Sequence, residues 1–370
     1  MSEPDPATVA AVRECERRLP PAVGDERLVF GFDGYLDRIR EVVAERAGEE
    51  RYARLETLDA FGEAVVDSAA ADTSLSFEWR RTDTRTGGHT CHLARAFARL
   101  GFEPAMVGTY GRPPAEPFRE AFDCPMHSLG APGETDAVEF DDGKLLLTEL
   151  GDTVGVDWET VRAAVGTETL ADSLDGAALL GVGYWAELTG FASLVEGLRD
   201  IWPRLSDPPA AVLVDTGDLR KRDGDLGPGA AALAHLDDAV PVTVSANRLE
   251  TAALASAVGD EAGTLAGNAA AARAALGVTR VAGHGVEMSV AVGPDGTASV
   301  GVPRTDDPAL TTSAGDHFNA GLALLCSLDG GAAVALGNAA AGWFVRHGAP
   351  PTYGELREFV ADYSDLFGAN

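Results

Sequence analysis

The chain is almost without lysine: Lys144 and Lys221 are the only two in 370 residues, and the other basic side chains are arginines and seven histidines. Acidic residues number 58 against 29 Lys and Arg together, a formal net charge of −29 at neutral pH. A surface this negative repels phosphate backbones, which excludes nucleic acid as a partner. The acids run through the whole sequence rather than forming a tail, so a single basic partner does not account for them. They are the pattern of a halophilic protein, because in molar salt the Debye length shrinks to about 3 Å and self-repulsion is screened. Long apolar runs are also missing, and none approaches the roughly 18 residues that a bilayer span needs. The start, Met-Ser-Glu-Pro-Asp-Pro, has neither the basic region nor the apolar core of a secretory signal. No membrane role and a cytoplasmic location are therefore expected. Cysteine is scarce, at 15, 91, 124 and 326, with no Cys-x-x-Cys pair. That argues against a zinc site or a disulfide framework and for buried thiols. No Gly-x-x-x-x-Gly-Lys-Ser/Thr loop and no Gly-x-Ser-x-Gly elbow occur, so P-loop and serine-hydrolase chemistry have no foothold.

What is present is an alternation of strand and helix patterns over a 45% hydrophobic chain, enough for a sizeable core. Residues 5–18 read as a peripheral helix ended by Pro20 and Pro21, so residues 1–26 form an N-terminal appendage to a domain over 27–370. The spacing predicts strands at 27–31, 104–108, 177–180, 211–215, 242–244 and 278–282, an amphipathic helix headed by His89 and His92 within 87–101, and helices at 188–200, 263–275, 316–327, 331–346 and 353–363. Residues 38–72 are charged and helix-periodic. Residues 135–148 read as a hairpin turning at Asp141-Asp-Gly143, and 288–302 as another turning at Gly293-Pro-Asp-Gly296. Such alternation implies a mainly parallel central sheet covered on both faces. The first of these hairpins interrupts the alternation and is expected to belong to a small β lid, with lid or insert segments at about 38–86 and 128–156.

Three stretches carry chemistry. Small residues from Leu310 lead to a lone carboxylate, Asp316, at the head of an apolar helix. A helix N-terminus attracts anions through its free N–H groups and dipole. A carboxylate there either caps the helix or takes a proton from a hydroxyl as a phosphoryl group arrives. At the other end of the chain, the glycine-punctuated loop Gly31-Phe-Asp-Gly-Tyr-Leu-Asp37 follows the first strand. Asp33 and Asp37 either cap that loop or grip polar groups of a substrate at the strand's carboxyl end. Gly87-Gly88 then opens a helix whose first turn carries His89 and His92. The glycines admit close approach to the backbone, and the histidines, lacking a third ligand, suit hydrogen bonding to a substrate better than a metal. After a later strand comes Asn247-x-x-Glu250, which is also the spacing of a helix capping box.

In this order the motifs resemble the ribokinase (PfkB) family of sugar and nucleoside kinases, over most of the chain from about Leu28 onward. The resemblance implies a ribokinase-like three-layer α/β/α fold with a small β lid, and Mg-dependent transfer of the γ-phosphate of ATP or another nucleotide to a hydroxyl of a small acceptor. That acceptor is a sugar, sugar acid or nucleoside. It implies Asp316 as catalytic base and Ser313, Ala314 and Gly315 as the anion hole. Asp33, Asp37, Gly87, Gly88, His89 and His92 would bind the acceptor. Asn247, Glu250 and Gly285 would serve the nucleotide, with Glu250 holding magnesium through water. The lid edges leave strands through which two copies can pair, so a homodimer is an expectation.

Several positions depart from the family pattern. Ser313 replaces the first glycine of the anion hole, and Leu310 replaces the aspartate that opens the motif beside a monovalent-cation site. His89 and His92 stand where two asparagines are customary, and Gly283 and Met288 flank Gly285 in place of the usual nucleotide-side residues. Two alternatives belong to other classes. One is a binding protein on the same fold without catalysis. The other is a nicotinamide-dependent oxidoreductase that uses Gly181-Val-Gly-Tyr-Trp-Ala186, with Asp215 ending the next strand.

Overall fold

The computed structural model of the chain describes residues 3–49, 51–221, 226–325 and 329–367, and of Lys221 the backbone alone. Cys326 and the last residues of the helix expected over 316–327 lie outside the described residues. The first helix, α1 (Pro6–Arg18), begins where the Asp5 carboxylate accepts the N–H groups of Ala7 and Thr8, with proline at the first helical position. The apolar strand β1 (Arg27–Gly31) follows, buried over four of its five residues.

Beyond β1 the structure departs from the sequence pattern. The loop expected through Asp37 ends at Gly34, and β2 (Tyr35–Arg46) starts at once, so Asp37 is a strand residue. Most of the helix periodicity at 38–72 is also misleading: β2 and β3 (Tyr52–Arg54) take its first half, and only α2 (Leu58–Ala70) is helical. The β-branched Ile39, Val42 and Val43 are buried in a strand bonded to neighbours on both sides. That tertiary pairing overrides a local signal that charge alone made helical.

The remaining elements are β4 (Glu78–Gly87), α3 (His89–Leu100), β5 (Glu103–Gly108), α4 (Glu116–Ala121), β6 (Met126–Ser128), β7 (Gly133–Glu139) and β8 (Lys144–Glu149). Next come α5 (Trp158–Ala164), α6 (Thr167–Leu174), β9 (Ala177–Val182), α7 (Phe191–Ile201), β10 (Ala211–Asp215), α8 (Gly227–Asp237), β11 (Val242–Asn247), α9 (Arg248–Ala257) and α10 (Leu265–Leu276). The chain closes with β12 (Arg280–His284), β13 (Met288–Gly293), β14 (Gly296–Gly301), α11 (Ala314–Leu325), α12 (Gly330–His347) and α13 (Tyr353–Ala361).

Among the described residues, nine strands form the main sheet in the order β14-β13-β12-β11-β10-β9-β1-β5-β6, parallel from β12 to β6, with the β13–β14 hairpin antiparallel at one edge. Successive strand residues point to opposite faces. Phe30 and Leu213 accordingly join the core beneath α1, α3, α11, α12 and α13, while Val29 and Val214 join the core beneath α5 to α10. Each fully buried Leu, Val or Phe in these layers contributes about 1.5–3 kcal/mol. The architecture is the expected ribokinase-like α/β/α sandwich.

A second, five-stranded sheet is organised on β2, which pairs with β4, β7 and β3, and β7 carries β8 on its far side. Tyr35 lies opposite both Gly87 and Gly133, so this sheet springs from the carboxyl end of β1. A small core of Val42, Val138 and Phe140, packed with Leu58 and Phe61 of α2, stiffens it. Among the described residues no helix is long and apolar enough to cross a membrane.

Candidate active site

The parallel strands end together, and each end delivers a polar group. Asp33 follows β1, Tyr184 follows β9, Asp215 ends β10, Asn247 ends β11 and His284 ends β12. Opposite them stands the N-terminus of α11, whose first turn holds Asp316. A cleft of about 1070 Å³ opens between the second sheet, Tyr184 and the segment that leads into α11. Its lining includes Asp37, Gly88, His92, Tyr184, Glu187 and Ser313.

The glycine pair is where it is because two carboxylates need the room. A Cβ on Gly87 would lie 2.1 Å from Asp37 Oδ2, and one on Gly88 would lie 2.5 Å from Asp33 Oδ2. Gly88 also has φ +93°, a backbone that side chains resist. Asp33 is fully buried, and its oxygens accept the N–H groups of His89 (2.7 Å) and Thr90 (2.9 Å) and the Thr90 hydroxyl (2.5 Å). Of the two readings for Asp33, the geometry realises capping: both oxygens are committed to the head of α3. Asp37 is different, since it faces the cleft. Burial holds its carboxyl up at about 6, against the hydroxyl of Thr135 and the charges of Arg95 and Arg85.

Asp316 is 7% exposed and held on one oxygen only. Its Oδ1 accepts the Tyr184 hydroxyl at 2.7 Å and lies 3.4 Å from His89 Nδ1, while Oδ2 has no hydrogen-bond partner among the described residues. Burial alone would raise this carboxyl; the imidazoles of His92 and His89 and the Tyr184 hydroxyl outweigh it and hold Asp316 well below the usual carboxylate range. Burial pushes His92 down to about 4, so at neutral pH it is uncharged and the contacts from His89 and Tyr184 do the holding. His89 also lies 3.5 Å from Asp215 Oδ2, whose carboxylate accepts from Asn319 and from the Gly217 N–H. Burial opposes a charge on His89, but the hydrogen bond to Asp316 and the charges of Asp215, Asp316 and Asp33 win and raise its pKa. The expected contact of His89 with an acceptor is not what the structure shows. The ring is 0% exposed and bridges two carboxylates, because a partner this close stabilises its cation.

Asn247 and Glu250 form the capping box. Asn247 Oδ1 accepts from the N–H groups of Leu249 and Glu250, and Glu250 returns Oε2 to the Asn247 N–H at 2.8 Å. The Thr216 hydroxyl, next to Asp215, also donates to Glu250, at 3.2 Å. Burial first and the Asp215 charge second raise Glu250 to about 7. Gly285 follows β12 directly. Its neighbour His284 lies against Gly315, where a Cβ would meet the ring at 3.3 Å.

With this geometry in place, comparison with known proteins is decisive. A family model described as prokaryotic ketohexokinase matches residues 4–363. A curated protein of Haloferax volcanii named ketohexokinase is 54% identical over 374 residues, covering all of both chains. The chain belongs to the prokaryotic ketohexokinase family. It is a carbohydrate kinase, a phosphotransferase acting on a sugar. Solved structures agree on the fold. A phosphofructokinase-2 mutant of Escherichia coli superposes with TM-score 0.62 at 16% identity, covering 92% of this chain and 100% of that one. Ribokinase of Thermotoga maritima gives 0.61 at 16%, covering 91% and 100%. An Arabidopsis thaliana ribokinase solved with ribose and ATP gives 0.61 at 16%, covering 91% and 99%.

For a ketohexokinase-family chain, the segment 181–186 is not a dinucleotide loop. Gly181 packs on Phe30, a Cβ on Gly183 would strike the His89 ring at 2.4 Å, and α7 begins only at Phe191. The glycines serve packing, and Tyr184 and Asp215 serve the Asp316 network instead. Sequence reading missed Tyr184 in that role, along with His284, His317 and Arg95. A hydroxyl-bearing aromatic directly after a buried parallel strand was the available signal for Tyr184. His317 offered none beyond its adjacency to Asp316.

Proposed function

We propose that this chain transfers the γ-phosphate of ATP to a hydroxyl of a ketohexose, with Asp316 as general base. The observation that carries the reading is Asp316 itself: one oxygen is pinned by Tyr184 and His89, and the other, at a helix N-terminus, has no partner among the described residues. The name of the Haloferax relative supports the acceptor class, and the ribose–ATP complex of the Arabidopsis ribokinase supports the donor.

In this reading the sugar lies in the cleft under the second sheet, which acts as its lid, with Asp37 accepting from its hydroxyls. The attacking oxygen forms a bond to the γ-phosphorus, the bond to the bridging oxygen breaks, and ADP leaves. The hydroxyl proton passes to Asp316 Oδ2. Because phosphoryl transfer is largely dissociative, a weak but well-placed base suffices, and its low pKa keeps it ionised at working pH. Backbone N–H groups of Gly315 and Asp316, in the first turn of α11, would face charge on the transferring group, while the Ala314 N–H is committed to the Thr311 carbonyl at 3.2 Å. Lid closure excludes water and suppresses hydrolysis of the donor.

Magnesium suits the donor set at the neighbouring strand ends. Asp215 and Glu250 are both raised, to about 6 and about 7, by burial and by like charge nearby. Buried carboxylates lifted in this way are relieved by a divalent cation with oxygen ligands and retained waters. Glu250, with Asp215 beside it, would hold the ion through water. When bound, magnesium neutralises the nucleotide phosphates.

An acceptor panel tests the reading. ADP formation is followed in molar KCl with magnesium against D-fructose, fructose 6-phosphate, ribose, gluconate and adenosine. Preference for D-fructose is expected, on the name of the Haloferax relative. Turnover confined to a nucleoside or a sugar acid would overturn it.

A further inference from the structure

Ser313 is an expensive residue where it stands. Of the described non-glycine residues only Asp72 and Ser313 have positive φ, and Asp72 is an exposed turn residue outside the cleft, whereas Ser313 lines it with φ +68°. A glycine would take this backbone without strain. The serine is nevertheless held on two sides. His317 Nδ1 is 2.8 Å from its carbonyl oxygen, with the His317 ring stacked on Phe344 at 3.6 Å. His92 Nε2 is 3.1 Å from its Oγ.

The direction of that last bond can be derived. Arg95 is anchored by Nη2 on the Thr86 carbonyl (3.0 Å) and hydroxyl (2.6 Å), and its Nη1 lies 3.5 Å from His92 Nδ1. A guanidinium only donates, so His92 Nδ1 is the acceptor and the neutral ring carries its proton on Nε2. Nε2–H therefore donates to Ser313 Oγ. The serine's own proton is left over, and Oγ has no second partner among the described residues. It sits in the cleft lining, three residues before Asp316.

We propose that the Ser313 hydroxyl donates to a non-bridging oxygen of the phosphoryl group in transfer, a side-chain donor added to the backbone anion hole. His92 and Arg95 are positioning residues that fix its polarity. No bond to Ser313 forms and its proton stays on Oγ. The inference rests on the kinase reading above and extends it, since it makes the serine and the first-turn histidine one device.

The test compares wild type, Ser313→Gly, Ser313→Ala, His92→Ala and the double variant Ser313→Gly/His92→Ala, by steady-state kinetics on D-fructose and thermal melts in molar KCl. Ser313→Gly is expected to melt no lower than wild type, because it relieves the left-handed backbone. Its kcat should nevertheless fall roughly 100-fold, the usual loss for one transition-state donor, with the sugar KM nearly unchanged. His92→Ala should lose less, and the double variant should lose no more than Ser313→Gly alone. Ser313→Gly with wild-type kcat overturns the proposal, as does full additivity in the double variant. Should Ser313→Ala fail to fold, Ser313→Gly still decides. The kinase reading fails separately, if wild type shows no ketose turnover at all.

Discussion

Gly88→Ala asks whether the glycine pair exists to admit carboxylates. The native backbone there, φ +93°, lies in a region held almost only by glycine, and forcing a side chain into it costs about 1–3 kcal/mol. The new Cβ would also sit 2.5 Å from Asp33 Oδ2 and 3.0 Å from Tyr35 Cδ2, so Asp33 must move. Asp33 caps α3 through three hydrogen bonds, and losing even one to a charged acceptor costs about 1.5–3 kcal/mol. The sum, roughly 2.5–6 kcal/mol, is a large part of the 5–15 kcal/mol that keeps a domain folded. Gly101→Ala is the comparator. Its φ is +102°, but a Cβ there meets nothing within 4 Å among the described residues, so it carries backbone strain alone, about 1–2 kcal/mol. Chemical denaturation of both variants in molar KCl measures the difference. Gly88→Ala should be the less stable by at least about 1.5 kcal/mol, the lost cap. Equal destabilisation would refute the steric argument.

Three further outcomes follow from the site. Asp37, lifted from 3.8 to about 6, is ionised only above about 6, so the sugar KM, measured at saturating MgATP, should climb as pH falls from 7 to 5. Asp37→Asn should flatten that profile, and a sugar KM independent of pH in wild type would count against Asp37 as an acceptor ligand. Tyr184→Phe removes a hydrogen bond to a charged oxygen, worth about 1.5–3 kcal/mol, and should lower kcat roughly tenfold or more with little change in sugar KM. An unchanged kcat would show that Tyr184 does not position the base. The net charge of −29 predicts a melting temperature that rises steeply with KCl, and a flat response up to molar salt would remove the halophilic reading.

Much of this fold is legible from sequence because parallel strands buried on both faces are plain apolar runs. Residues 27–31 and 211–215 were readable to the residue. The second sheet was harder. Strand β2 mixes charged with β-branched residues, and its stability comes from β4 and β7, whose paired residues lie 35 or more positions away, the nearest pair being Val43 and Glu78. Its pattern taken alone is as helical as it is extended. Within the site, residues on the glycine and aspartate motifs could be named because their spacing is tied to a backbone shape. Their tasks could not all be read. Asp33 turned inward as a cap and His89 became a bridge between carboxylates, both consequences of burial that spacing does not encode. Tyr184, Asp215 and Asp316 come from three distant segments and meet only because β9 and β10 are adjacent and α11 closes over their ends.

The central claim is that Asp316 is the base, and Asp316→Asn tests it most directly. The amide keeps the shape and can still accept from Tyr184, but it cannot take a proton at neutral pH. Single-turnover phosphorylation of D-fructose, paired with calorimetric titration of a nonhydrolysable ATP analogue, separates chemistry from binding. The account predicts a loss of chemistry of roughly 10²–10⁴-fold, with nucleotide affinity within a few-fold of wild type. An Asn variant that phosphorylates at close to the wild-type rate would contradict it.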